Sequence, residues 1–344
     1  MKRKVFILAL TALLVFPFTS FAAQRVLLKT ESIITSGIAV SGSTILFGDA
    51  SGIFSAASSN TQATLWTYQA GDATTVGTPA VFDGQVIFAQ ATGELTCLNV
   101  SDGSVVWTYA PKYDESVNEG LSDGVSVGGG LVYAAYTTGE LKAIDLKTGR
   151  QAWSYKTDHG LRTAPVYSNG LVLLGEYDGL FSMLDAKTGK RLNGGGAGGA
   201  LNTPAVSGGK VYYSAWDGSV HAVQIKDVIP LWSAKLGEPI TSAPSIGGGL
   251  VVVGTAGGKV AALSEKDGAL LWQYESNGGQ IVARPVISGE RVSFGTEDGR
   301  VLILDARTGR LRNEYSGRFV LNTDPAFGGN RLYFTNGKEL CSEE

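Results

Sequence analysis

One glycine returns through this chain at Gly52, Gly93, Gly139, Gly179, Gly218, Gly258, Gly299 and Gly337, in steps of 41, 46, 40, 39, 40, 41 and 38 residues. Three further landmarks keep register with it. Pro79, Pro165, Pro204, Pro244 and Pro285 stand fourteen residues before it, and Gly103, Gly149, Gly189, Gly268 and Gly309 stand ten after it. Trp66, Trp107, Trp153, Trp232 and Trp272 stand fourteen after it, with Asn193 and Asn313 replacing tryptophan in two copies. Self-similarity at a fixed period decides the architecture before local propensity does.

The copy from Thr163 to Leu192 shows what the unit is. Pro165 opens an apolar run, and Ser168-Asn169-Gly170 supplies residues that tolerate the positive φ of a hairpin turn. Leu171–Tyr177 is a second strand, Asp178-Gly179 turns it, Leu180–Asp185 is a third, and Lys187-Thr188-Gly189 turns the chain into a fourth. A lone sheet of four short strands cannot bury both faces, so copies must pack on copies. Radial packing into a β-propeller does this with short edges only. Eight landmark glycines predict an all-β fold, an eight-bladed propeller of four-stranded antiparallel blades.

The two ends predict how the ring closes. After Gly337 only Lys338–Glu344 remain, so the last copy lacks its fourth strand. Gln24–Lys29 stands where every other copy has that strand, because Val26 falls twelve residues before Ile38 as Trp153 falls twelve before Pro165. The N-terminal strand is therefore expected to complete the C-terminal blade and remove the open edges.

Ahead of the repeats, Lys2, Arg3 and Lys4 precede the apolar run Val5–Phe16, and Ser20-Phe21-Ala22 offers small residues for cleavage. This pattern is that of a secretory signal peptide, too short to span a bilayer. The expected division is a cleaved segment at 1–22 and a single propeller domain at 23–344, exported to the periplasm or beyond. No cysteine follows the apolar run, and no other stretch is long and apolar enough to span, so neither lipid anchor nor membrane span is expected. The formal charge of −3 becomes −6 once the three basic residues leave, which disfavours nucleic acid as a partner.

Cys97 and Cys341 each lie four residues after a landmark glycine, where other copies carry Ala56, Ala143, Met183, Ala222, Ala262 and Ile303. That is an apolar slot in the third strand, and the two thiols fall two blades apart, beyond the roughly 7 Å a disulfide can bridge. Both are expected to be free and buried.

Segments such as Gly139-Glu-Leu-Lys-Ala-Ile-Asp-Leu-Lys-Thr-Gly-Arg-Gln-Ala-Trp153 resemble the repeat of the PQQ-like β-propellers, over essentially the whole chain after residue 22. That family includes quinoprotein alcohol dehydrogenases, which bind pyrroloquinoline quinone and calcium, and the non-enzymatic BamB proteins of outer-membrane barrel assembly. The dehydrogenases carry adjacent cysteines against the cofactor, whereas Cys97 and Cys341 are far apart here. Asp178-Gly179, Asp217-Gly218 and Asp298-Gly299 fall at the turn register and read as turn residues before calcium ligands. His159 and His221, the only histidines, cannot make a metal cluster by themselves. No catalytic, cofactor or metal residue is nominated. The resemblance implies a protein-binding scaffold of BamB type, with a quinone-binding relative or a cell-surface carbohydrate or adhesion propeller as alternatives.

Binding is expected on the loops between blades, since loops on a rigid scaffold carry function. The longest, Pro111–Gly124, holds Asp114, Glu115, Glu119 and Asp123, a candidate acidic face for a basic partner. His159-Gly160-Leu161-Arg162-Thr163-Ala164-Pro165 is similar to the loop through which BamB proteins contact their barrel partner BamA, and so nominates Leu161 and Arg162. Arg284 and Arg318 on other inter-blade loops extend the same basic rim.

Overall fold

The computed structural model describes residues 24–71, 73–111, 120–161, 163–316 and 323–343. Eight four-stranded antiparallel sheets account for the strands among them, and no helix occurs among these residues. Blades 1 to 7 span residues 39–69, 75–109, 121–156, 166–196, 205–235, 245–275 and 286–316. Blade 8 takes three strands from 326–343 and its outermost from Gln24–Lys29, which runs antiparallel to Glu339–Glu343. The expected eight-bladed ring and its closure are both present. Val26 faces Cys341 across that pair, the place a tryptophan holds in other blades.

The core is a ring of seams. Each of eight buried apolar clusters joins one sheet to the next, as where Ile87 and Leu95 of blade 2 meet Val132 and Ala134 of blade 3. The second and third strands of each blade are almost wholly buried, while the fourth alternates with solvent. Successive residues of a strand point to opposite faces, so an inner strand can serve the seams on both sides.

The repeated tryptophan is an inter-blade clamp. Trp107, in the fourth strand of blade 2, donates its indole N–H to the Leu146 carbonyl of blade 3 at 2.7 Å. Trp66, Trp153, Trp232 and Trp272 repeat this onto Val100, Ala186, Glu265 and Ala306. The receiving turn must be glycine. A Cβ at Gly149 would stand 2.9 Å from Trp107, and its φ of 67° is one that side chains rarely adopt.

Where the tryptophan is lost, its neighbours change with it. Trp66, Trp153, Trp232 and Trp272 face Ala56, Ala143, Ala222 and Ala262 across the third strand, and Trp107 faces Cys97. Asn193 and Asn313 instead face Met183 and Ile303, which restore the missing bulk. With no indole to admit, the next turn need not be glycine. Val228 follows Asn193 and Gln62 follows Val26, both still at positive φ, 54° and 59°.

Cys97 and Cys341 are free and buried, and burial pushes both thiols up to about 12. His221 stacks on Tyr213 with ring centroids 4.9 Å apart, a packing role. His159 is exposed and meets Asp178 at 3.2 Å. The turn carboxylates serve their own turns: Asp178 and Asp217 accept the N–H two residues on, at 3.1 and 2.9 Å.

Candidate functional site

All eight blades contribute to one central cavity of about 850 Å³, walled by the first strands and by the inter-blade loops that lead into them. Its wall is a repeated register, the residue before the recurring proline or, in blades 1 and 3, before Ile38 and Val125. Six blades place Gly, Ala or Thr there, and the channel is open because those side chains are small. The other two carry charge: Arg284 in blade 7 and Asp324 in blade 8. They are coupled, for the Asp324 carboxylate accepts the Arg284 backbone N–H at 2.7 Å and stands 3.6 Å from its guanidinium.

Asp123 enters the same channel from blade 3, which lies opposite blade 7 in a ring of eight. Local backbone puts it there. The first strands of blades 2 and 3 are long, Thr75–Phe82 and Leu121–Gly128, and each is interrupted by a bulge. A bulge re-aims the side chains it carries. The two bulges nest: a Cβ on Gly77 would meet the Gly124 nitrogen at 2.3 Å, so only glycine lets these backbones close. Asp123 accepts the Gly124 N–H at 2.8 Å and forms no ion pair among the described residues.

Burial in the channel wall raises the pKa of both carboxyls above the ordinary carboxylate value. For Asp123 the Gly124 N–H counters that rise, the Asp324 charge adds to it and Arg284 opposes it. For Asp324, Arg284 opposes the rise by its charge and its N–H. A carboxyl easier to protonate when folded costs stability above its folded value, and the cost fades as pH falls toward the ordinary range near about 4. Asp123→Asn is therefore expected to stabilise the protein at pH 7 by about 0.5–2 kcal/mol. Melting temperatures of parent and variant from pH 8 to pH 4 check this: the gap should be widest at neutral pH and close toward pH 4.

The mouth of the channel is aromatic on one side. Tyr177 and Trp216, in the turns between second and third strands of blades 4 and 5, are 56% and 52% exposed and line the cavity. The residue two before the landmark glycine is Ala, Thr or Glu in the other blades. Val282, 43% exposed, stands on the same mouth. Trp216 is the sixth tryptophan of the chain and the one outside the clamp series.

The residues nominated from sequence part company here. Leu161 is fully buried between blades 3 and 4 and pairs with Glu176 through an isolated bridge, so its side chain belongs to the core. Ile34, Leu201 and Ile240 make the same bridge in blades 1, 5 and 6, which marks Leu161 as a structural plug. Arg284 lines the channel beside its acid partner and presents no free charge to an outer rim. Asp123 faces the channel and not an exposed acidic loop. Arg162, Arg318, Asp114, Glu115 and Glu119 lie outside the described residues, as does the segment expected to be a signal peptide. Asp324, Tyr177, Trp216 and Val282 were not nominated.

No helix among the described residues is long and apolar enough to cross a membrane. The family model described as outer membrane protein assembly factor BamB matches residues 20–118, 112–193 and 191–343. No curated protein matches the chain in sequence. Among solved structures, BamB from Moraxella catarrhalis superposes with a TM-score of 0.77 at 20% identity, covering 92% of this chain and 99% of that one. The computationally designed Ika8 protein gives 0.79 at 21% identity, over 92% and 98% of the two chains. The quinohemoprotein alcohol dehydrogenase of Comamonas testosteroni gives 0.74 at 13% identity, over 94% and 76%. At these identities the likeness is one of fold.

Proposed function

Because the chain belongs to the BamB family of PQQ-like propellers, we propose that it is an exported, non-enzymatic scaffold that holds a protein partner in outer-membrane protein assembly. The observation that carries this is the channel mouth, where Tyr177, Trp216 and Val282 stand exposed around Arg284 on a rigid ring. Exposed Trp and Tyr on a concave face are the kind of anchor that dominates a binding hot spot. Family membership directs the choice of partner to a barrel-assembly component such as BamA. Leu161 supports the loop from within, and contact falls to the mouth residues, with Arg162 and Arg318, which lie outside the described residues, as further candidates.

The test is direct binding of the purified chain to the periplasmic part of the barrel-assembly protein from the same source. Trp216→Ala is expected to weaken binding about thirty-fold, the scale of a 2 kcal/mol hot spot, without lowering the melting temperature. Binding that ignores Trp216→Ala, or no binding by the parent, contradicts the proposal. The quinone-binding alternative is supported by a dehydrogenase that shares the fold at 13% identity.

A further inference from the structure

Resting on the protein-binding reading, the geometry points to the class of group that the channel accepts: we propose that the mouth takes a long-stemmed basic side chain, lysine or arginine, from an extended segment of the partner, its cation seated between Asp123 and Asp324. Three observations carry this. The described charged residues lining the channel are two carboxylates and one guanidinium, and the guanidinium is already committed to Asp324. Asp123, held in place by the Gly124 N–H and by the nested bulges, forms no ion pair among the described residues and feels only the charge of Arg284, which is itself paired with Asp324. A partner's cation would supply the missing charge, forming hydrogen bonds that are stronger for being charge-assisted.

The third observation is the order of chemistry along the channel. Asp324 sits at the register before the prolines and Asp123 one residue ahead of it in blade 3, while the apolar and aromatic side chains of Tyr177, Trp216 and Val282 sit at the mouth. A lysine or arginine matches that order, because its aliphatic stem covers apolar surface while its head reaches the polar group. The aromatic faces add attraction for a cation that passes them. A bare metal ion would leave the apolar mouth without a role. The formal charge of −3 on the chain favours approach of a basic segment.

The experiment is isothermal titration of the full chain with four capped tripeptides, Gly-X-Gly, where X is arginine, lysine, citrulline or glutamate. The arginine and lysine peptides are expected to bind, citrulline at least tenfold more weakly, and glutamate weakest. Asp123→Asn should reduce binding of the cationic peptides at least tenfold, and Trp216→Ala several-fold, with melting curves confirming that both variants are folded. Citrulline binding as well as arginine, or Asp123→Asn leaving the arginine peptide unaffected, overturns the proposal. So does calcium chloride binding more tightly than any peptide and losing that binding in Asp123→Asn, which would make this a metal site. Failure of the cation site and failure of the scaffold reading are distinguishable: partner binding that survives Asp123→Asn but falls with Trp216→Ala overturns only the former.

Discussion

Removal of residues 24–29 is expected to abolish the single cooperative unfolding transition of this protein. Gln24–Lys29 supplies the outer strand of blade 8, and with it five paired positions along Glu339–Glu343. Leu27 goes too, a buried member of the seam between blades 8 and 1. Beyond the strand, the Thr30 and Ile34 N–H groups bond the Lys338 and Gly337 carbonyls at 2.8 and 2.9 Å, and would lose their anchor. At about 1 kcal/mol for each lost ladder bond and about 2 for the leucine, the loss is on the order of 5 kcal/mol or more. That equals much of the roughly 5–15 kcal/mol by which domains are stable at all. It also exposes Leu340 and Cys341 along an unpaired edge, an invitation to aggregate. Calorimetry should show a broadened or absent transition. A deletion variant that melts as sharply and as high as the parent contradicts the closed ring.

Trp107→Ala is expected to cost about 3–5 kcal/mol, as buried aromatic truncations do. The side chain is 7% exposed in the seam between blades 2 and 3, and its N–H satisfies the Leu146 carbonyl. The neighbouring Gly149 cannot fill the space. Trp107→Phe separates the two contributions by keeping most of the ring while leaving that carbonyl unpaired, at about 1–3 kcal/mol. Denaturant unfolding measures both, and an alanine variant within about 1 kcal/mol of the parent would show that the clamp is dispensable.

The ring, its blade count and its closure were legible because propeller blades need the same residues at the same places. A turn of positive φ, a proline at the strand entry and a clamp each leave one letter per copy. The exceptions were legible by the same logic. Asn193, Met183 and Val228 form one coupled substitution spread between positions 183 and 228, and Asn313 with Ile303 forms another. The site was harder to read. Leu161 drew attention through a short motif likeness, although Ile34 and Ile240 stand at the same distance before their own strand entries and mark that position as a plug. Asp123 read as part of an acidic loop because nothing in the letters announces a bulge, except Gly124 in the register that precedes proline elsewhere. Tyr177 and Trp216 lay hidden in turns that otherwise repeat as architecture. Large aromatic residues where other copies carry small or polar ones were the available signal.

Those two aromatics are also where the function is most directly tested. A photo-crosslinking amino acid at position 216, on the channel mouth, can be compared in intact cells with one at position 82, in the exposed Phe82 turn at the other end of the blades. The expected result is capture of a barrel-assembly component from position 216 and not from position 82. Capture from position 82 alone, or equally from both, would contradict a scaffold that works through its channel mouth.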